Sequence, residues 1–109
     1  MDKEIMKGSI DILILSLLSK RSMYGYEIAK SIKKESDDLY NMGEGTLYPA
    51  LKRLEAKGYL KSYWEDTETG KRRRYYAITE EGEKILKKKL ENWHILNSLI
   101  TKVSREAFS

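Results

Sequence analysis

The sequence predicts a mainly α-helical protein with one small β-hairpin, and three observations support that prediction. Apolar residues recur at helical spacing in the first half of the chain, an aromatic-rich stretch surrounds a glycine-containing turn, and the C-terminal stretch returns to helical spacing. The 109 residues are enough for one compact domain with a helical extension and too few for two full domains. The predicted division is therefore a domain over residues 1–79 and a final helix over residues 80–109.

Three helices are predicted ahead of the hairpin. The first has its core-facing stripe at residues 10–18 and also includes Ile5, the second begins near Tyr24, and the third ends at Gly58 with Pro49 in its early part, where a missing amide proton costs least. The apolar side chains expected to face the core are Ile10, Leu13, Ile14, Leu17 and Leu18 of the first helix, Ile28 and Ile32 of the second, and Leu47, Leu51 and Leu54 of the third.

The first helix is expected to have a second apolar face. Ile5, Ile12 and Leu15 lie off the core-facing stripe at helical spacing. A monomer of this size has difficulty covering both faces, so we expect the second face to contact another copy of the chain.

The pattern then changes to a hairpin and returns to a helix. Residues 59–78 are rich in aromatic side chains on either side of a polar turn at Gly70, which is typical of two antiparallel strands. Thr79, followed by two acidic residues, predicts the start of a long helix with apolar side chains at heptad spacing. The residues expected at a dimer interface are Ile5, Leu86, Leu90, Trp93, Leu96, Ile100 and Val103.

Three helices, a two-stranded hairpin and a long final helix, in that order, describe a winged helix-turn-helix. In that architecture the third helix enters the DNA major groove, and the hairpin, called the wing, contacts the flanking backbone. The net charge is +4, and the positive excess lies in residues 41–79, which carry eight basic and five acidic side chains. The charge distribution therefore agrees with a nucleic-acid partner.

Two segments supply the candidate DNA contacts. The basic run at residues 71–74 can bind phosphates, although a solvated strand edge that discourages aggregation is the alternative. With the leucines of the third helix facing inward, its polar side chains point away, and Tyr48 has the alternative of partial burial against the wing. The predicted DNA-binding residues are Thr46, Tyr48, Pro49, Lys52, Arg53, Lys71, Arg72, Arg73 and Arg74.

Composition argues against an enzyme and against a membrane protein. The chain has no cysteine, which excludes disulfides and thiol catalysis and fits a reducing cytoplasm. His94, the only histidine, has no evident metal cluster or acid–base partner, and Gly43-x-Gly45 lacks the spacing of a nucleotide-binding loop. The apolar run at residues 10–18 is too short to span a bilayer. We therefore expect a cytoplasmic protein with no catalytic residue, metal or cofactor and no membrane contact.

Three segments together resemble the hallmark motifs of the PadR family of transcriptional regulators. They are YGYEI at residues 24–28, GTLYPALKRLE at 45–55 and RRRYYAIT at 72–79. The single short C-terminal helix resembles the smaller of the family's two broad groups. The resemblance implies a homodimer that binds a pseudo-palindromic operator in double-stranded DNA, usually as a repressor, with the C-terminal helix forming the dimer.

Trp93 has two interpretations. In multidrug-responsive members of the family that the chain resembles, a tryptophan at the matching place lines a dimer-interface cavity and stacks on flat aromatic compounds. That resemblance implies a flat aromatic effector, with Trp93, Ile12 and Leu15 as ligand-binding residues. The alternative is that Trp93 fills the coiled-coil seam.

Two questions about function stay open at the level of sequence. A winged-helix module that uses its basic wing to bind an acidic protein is the alternative to a DNA-binding regulator. The residues also do not separate a repressor from an activator, because both bind DNA through the same surface.

Overall fold

The computed structural model describes residues 2–107 and confirms the predicted fold class. The predicted limits at residues 1 and 109 lie outside this described part. No helix within it is both long and apolar enough to cross a membrane. In chain order the elements are α1 (Lys3–Lys7), α2 (Ile10–Leu18), β1 (Met23–Tyr24), α3 (Gly25–Glu35), α4 (Glu44–Ala56), β2 (Leu60–Asp66), β3 (Arg72–Ile78) and α5 (Glu80–Ala107).

The N-terminal region forms two helices rather than one. The Asp2 carboxylate caps α1 by accepting a hydrogen bond from the Glu4 amide at 2.8 Å. The helix ends at Gly8, which loses more backbone entropy in a helix than other residues do, and α2 begins two residues later. The expectation that Ile5 shares a helix with Ile12 is therefore wrong: Ile5 is exposed on α1, whereas Ile12 is half-buried on α2.

The core-facing side of α2 differs from the predicted stripe. Leu15 is fully buried, with 0% of its surface exposed, together with Ile14 and Leu18, whereas Leu13 and Leu17 are only half-buried. The expectation of Leu15 on a spare apolar face is wrong, because α2 is enclosed by α3, α4, α5 and the sheet. The other fully or nearly fully buried residues are Met23, Ile28, Ile32, Met42, Leu47, Ala50, Leu51, Leu54, Leu60, Tyr76 and Leu86.

The third helix of the sequence prediction is α4, and its end is the one predicted. Gly58 adopts a φ of +80°, in the left-handed region that favours glycine. In this conformation the Tyr59 amide donates to the Leu54 carbonyl at 3.0 Å and the Gly58 amide to the Glu55 carbonyl at 3.0 Å. These bonds satisfy carbonyls of the last turn and direct the chain into β2.

The hairpin belongs to a three-stranded antiparallel sheet with the order β1-β3-β2. The two-residue strand β1, which the sequence analysis did not predict, pairs with β3 through Met23 opposite Tyr76. In the hairpin itself, Trp64 lies opposite Arg74. Since successive side chains of a strand point to opposite faces, Arg74 and the neighbouring Arg73 lie on different faces of the wing.

The long helix α5 has a packed beginning and an unpacked remainder. Its 28 residues span about 42 Å. Leu86 is only 8% exposed and completes the core beside α2, so the expectation that Leu86 would be exposed in a monomer is wrong. Leu90 is half-buried and packs against the edge of the core.

Beyond Leu90, α5 extends away from the domain, and we call residues 91–107 the overhang. Every described side chain of the overhang is exposed. Its large apolar residues include two, Ile95 and Leu99, that the heptad prediction did not contain, in addition to four that it did. The full set is Trp93, Ile95, Leu96, Leu99, Ile100 and Val103.

Candidate nucleic-acid interface

The outward face of α4 is built by the burial of its opposite face. Leu47, Leu51 and Leu54 are 0–2% exposed, and their spacing fixes the rotation of the helix about its axis. As a result Pro49 and Lys52 are exposed on the solvent side. The remaining predicted residues of this helix are Thr46, which is half-buried, and Tyr48 and Arg53, which are exposed.

Tyr48 is held against the first residue of α3. A Cβ atom built on Gly25 would lie 2.6 Å from the Tyr48 hydroxyl oxygen and 2.9 Å from two ring carbons. The glycine therefore lets the tyrosine ring pack directly on the backbone of α3, while 44% of the tyrosine stays exposed. The ring is therefore packed on one side against the start of α3 and open on the other, and contact of Tyr48 with DNA stays a prediction.

The helix α4, which is the third helix of the sequence prediction and is called the recognition helix below, shares a groove of about 310 Å³ with the wing. Tyr48 of α4 lines the groove, and so do Trp64, Arg73 and Arg74 of the wing. Tyr24 and Tyr26 also line it, so the groove is strongly aromatic. The structure therefore brings the two predicted DNA-binding segments to one side of the molecule.

Aromatic rings support the outer arginines of the wing. The guanidinium carbon of Arg73 lies 4.4 Å from the centre of the Tyr24 ring, and that of Arg72 lies 5.3 Å from the centre of the Trp64 ring. Arg72 also pairs with Asp66 at 3.5 Å, and both side chains are largely exposed, so this pair is weak. Lys71 is exposed at the end of the turn.

Two further predicted arginines, in addition to Arg72, have carboxylate partners within the domain. Arg53 pairs with Asp11 of α2, and Arg74 donates to Glu55 of α4 at 3.0 Å. Arg74 also donates to the Ser62 hydroxyl on β2 at 2.9 and 3.0 Å. Part of the positive charge that the sequence assigns to this surface is therefore compensated locally.

The buried Tyr76 lies beneath this cluster. Burial raises the pKa of its hydroxyl above the ordinary value of 10.0, and the Arg74 guanidinium, 5.6 Å from the centre of the ring, opposes that rise. The phenol is consequently neutral at any pH at which a DNA interface would operate.

The sequence analysis did not include the lysines of α3. Lys30, Lys33 and Lys34 line a groove of about 690 Å³ between α3 and the N-terminal end of α4, together with acidic residues that include Asp37 and Glu44. Their spacing of three and four residues is the signal that places them on one helical face.

No group of three or more histidine, aspartate or glutamate side chains that could hold a metal ion occurs within residues 2–107. His94 lies on the exposed overhang beside Trp93, with the two ring centres 5.3 Å apart. The histidine is thus remote from the shared groove, which lies between the recognition helix and the wing.

A recognition helix beside a cationic hairpin, carried on a helical core, defines a winged helix-turn-helix protein of the DNA-binding class. The sequence matches the transcriptional regulator PadR-like family over residues 14–88. The chain belongs to this family. Membership confirms the resemblance carried by the three motifs and the prediction of a transcriptional regulator rather than an enzyme.

Solved structures of several regulators are similar to the chain. A transcriptional regulator from Clostridium thermocellum is 48% identical, with 92% of this chain and 97% of that chain covered and a TM-score of 0.85. A PadR family transcription regulator from Clostridium difficile R20291 is 40% identical, with 87% and 97% covered and a TM-score of 0.76. The negative transcriptional regulator PadR of Bacillus subtilis (strain 168) is 27% identical over 87% of this chain, which spans about half of that protein's length (50%).

Proposed function

We propose that this chain binds a pseudo-palindromic operator in double-stranded DNA as a homodimer and represses its own or a neighbouring promoter. The observation that carries the proposal is the shared groove: Tyr48 of the recognition helix and Arg73 of the wing line it together. A duplex that receives α4 in its major groove would then meet the wing along the adjacent backbone.

The exposed face of α4 supports base and backbone contact. Tyr48 offers a ring and a hydroxyl to sugar, phosphate or a thymine methyl group, with Thr46 and Pro49 beside it. Lys52 is exposed and has no ion-pair partner within residues 2–107, so its ammonium group can bind phosphate or a guanine edge. Arg53 contributes its charge from a pair with Asp11.

On the wing, the cations at the tip are the strongest candidates for phosphate contact. Lys71 has no ion-pair partner in the described residues, and Arg72 is paired only weakly with Asp66. Arg73 is held over an aromatic ring, which keeps its donors available while restricting the side chain. Arg74 stands apart from these three because of its partners on α4 and β2.

The overhang supports the homodimer. Six large apolar side chains that are 44–69% exposed would be costly to leave in water. Four of them, Trp93, Leu96, Ile100 and Val103, continue the three- and four-residue spacing that begins at Leu86 and Leu90. We assign the dimer contact to Trp93, Leu96, Ile100 and Val103, with Ile5 and Leu90 at its margins. Leu86 and Leu15 are left out because each lies in the core of a single chain.

Repression and relief by a ligand are the finer parts of the proposal. The Bacillus subtilis relative is named a negative regulator, which supports repression. Trp93 is 44% exposed on the overhang, so its ring can stack on a flat aromatic compound between two protomers, with the half-buried Ile12 as a candidate neighbour. Such a ligand would relieve repression by changing the separation of the two recognition helices.

Fluorescence anisotropy tests the DNA-binding part. The purified protein is titrated into a fragment of its own promoter and into a scrambled fragment, each at low and physiological salt. Preference for the promoter that survives added salt supports sequence-specific regulation. Equal binding to both fragments that salt abolishes would contradict it and would favour the protein-interaction module.

Tryptophan emission tests the ligand part. Trp64 and Trp93 are the only two tryptophans, so a Trp64→Phe variant reports on Trp93 alone. Flat aromatic compounds that quench this emission and also release promoter DNA support the proposal. Quenching with no change in DNA affinity would contradict relief by a ligand at Trp93.

A further inference from the structure

Three side chains from three elements meet where the wing joins the recognition helix. The Glu55 carboxylate on α4 accepts hydrogen bonds from the Ser62 hydroxyl on β2 and, at 3.0 Å, from the Arg74 guanidinium on β3. The guanidinium also donates to the Ser62 oxygen, at 3.0 Å from Nε and 2.9 Å from Nη2. Each member of the cluster therefore contacts the other two.

Because side chains along β3 point alternately to the two faces of the sheet, Arg74 and not Arg73 lies on the face that carries this cluster. Arg74 and Ser62 lie on the same face of the sheet, because Trp64 is opposite Arg74 and Ser62 is two residues before Trp64. Arg73 lies on the other face and contacts Tyr24. The planar guanidinium, with donors in a fixed arrangement, can bind two acceptors at once, which an ammonium group does less well.

The cluster lies at the limit of the buried part of the wing. Leu60, at the base of β2, is buried, Ser62 is half-buried, and the rest of β2 up to Asp66 is exposed. The Arg74 and Glu55 side chains are 45% and 31% exposed, so their pairing is too screened to add much to global stability. Its effect is geometric, since it joins the last half-buried residue of β2 to the last turns of α4.

We propose that Glu55, Ser62 and Arg74 form a bridge that sets the position of the wing relative to the recognition helix. In this role Arg74 acts in DNA binding as a positioning residue and does not contact phosphate. The inference rests on the proposed function, because the position of the wing matters only if helix and wing bind one duplex. With Arg74 in this role, each protomer has one phosphate-contacting cation fewer than the basic run at residues 71–74 predicts.

The effect of removing the Glu55 carboxylate separates this role from a phosphate contact by Arg74. If Arg74 bound phosphate, Glu55→Ala would free its charge, raise the affinity for all DNA and steepen the salt dependence. If the three residues form a bridge, Glu55→Ala lowers the affinity for the promoter fragment about five- to tenfold. Binding to the scrambled fragment then stays equal or rises slightly, because one negative charge has been removed.

The charge-exchanged pair, Glu55→Arg with Arg74→Glu, makes the test reciprocal. The net charge is unchanged and the opposite charges still face each other, so the bridge predicts that promoter preference recovers toward the wild-type value. A phosphate-binding Arg74 predicts a further loss instead, because its position would then carry a negative charge. Lys71→Gln is the matched control, since it should weaken binding to both fragments and lower the salt slope by about one per protomer.

A measurement without DNA keeps the bridge testable apart from the proposed function. Residual dipolar couplings of backbone amides report the orientation of residues 60–66 and 72–78 relative to α4. The bridge predicts altered or averaged couplings of the wing in Glu55→Ala and unchanged couplings in Lys71→Gln. Couplings in Glu55→Ala that match the wild type would overturn the bridge, whereas a wild-type protein with no promoter preference would overturn only the proposed function.

Discussion

Gly82→Ala should destabilise the fold even though alanine is the better helix former. An added Cβ would lie 2.1 Å from the Tyr59 carbonyl oxygen and 2.7 Å from a side-chain carbon of Ile78. Because the Tyr59 oxygen belongs to the backbone, α5 would have to move by about 1 Å to reach an ordinary contact distance. That movement would stretch the bonds that attach the start of α5, including the Thr79 amide to the Tyr59 carbonyl and the Gly82 amide to the Thr79 hydroxyl, both 3.0 Å.

The magnitude follows from these losses. Overpacking costs about 1–3 kcal/mol and each of the two weakened hydrogen bonds about 1 kcal/mol, against a gain of about 1 kcal/mol in helix propensity. We expect a loss of about 2–4 kcal/mol in the free energy of unfolding, measured by urea denaturation at several protein concentrations to account for the proposed dimer. Gly45→Ala is the control, because its Cβ would meet nothing within 4 Å and it should stabilise slightly. A Gly82→Ala protein as stable as the wild type would refute the reasoning.

Three further predictions follow from the site and the overhang. Gly25→Ala should displace the Tyr48 ring and weaken promoter binding five- to tenfold in anisotropy, about 1–1.4 kcal/mol, with little change in Tm; undiminished binding would show that the ring position is unimportant. Replacing both Leu96 and Ile100 with glutamate should give monomers in sedimentation, because each half-exposed apolar chain contributes about 1 kcal/mol to the interface, and a persistent dimer would place the contact elsewhere. Stability should decline as the pH rises above 10, because the raised pKa of Tyr76 makes the folded protein hold that proton more tightly than the unfolded chain does; Tyr76→Phe should lose this dependence in pH-dependent urea titrations.

Hydrophobic periodicity predicted the helices well in segments where a single helical period dominates. The predicted apolar stripe at residues 10–18 lies on α2, although the prediction extended that helix back to Ile5, and Gly58 ends α4 as expected. Leu15 was misplaced because α2 is enclosed on several sides and buries residues beyond a single stripe, and Leu86 was misplaced because the start of α5 packs against α2. Periodicity describes which residues share a side of a helix, but only the packing of other elements determines how wide the buried side is.

For the candidate site, the sequence predicts which residues face outward, but it does not predict which of them form ion pairs within the domain. The basic run and the outward face of α4 follow from spacing, and the structure brings them to one groove. The partners of Arg53 and Arg74 are 42 and 19 residues away in sequence, and no local pattern pairs them. Strand alternation was available from the sequence and separates Arg73 from its neighbours, but it does not identify which face meets α4.

The two ion pairs of α4 together explain how a small domain can present its recognition helix in a fixed orientation. Arg53 contacts α2 through Asp11, and Glu55 contacts β3 through Arg74. The C-terminal half of α4 therefore contributes a cation to one ion pair and an anion to the other, and the two pairs join it to two different elements. The N-terminal half, which carries Tyr48, has no such pair within residues 2–107. The N-terminal residues of a recognition helix are those that contact base edges. In the proposed function, the paired half of α4 would therefore orient the helix and add the charge of Lys52 and Arg53, and the N-terminal half would reach the bases.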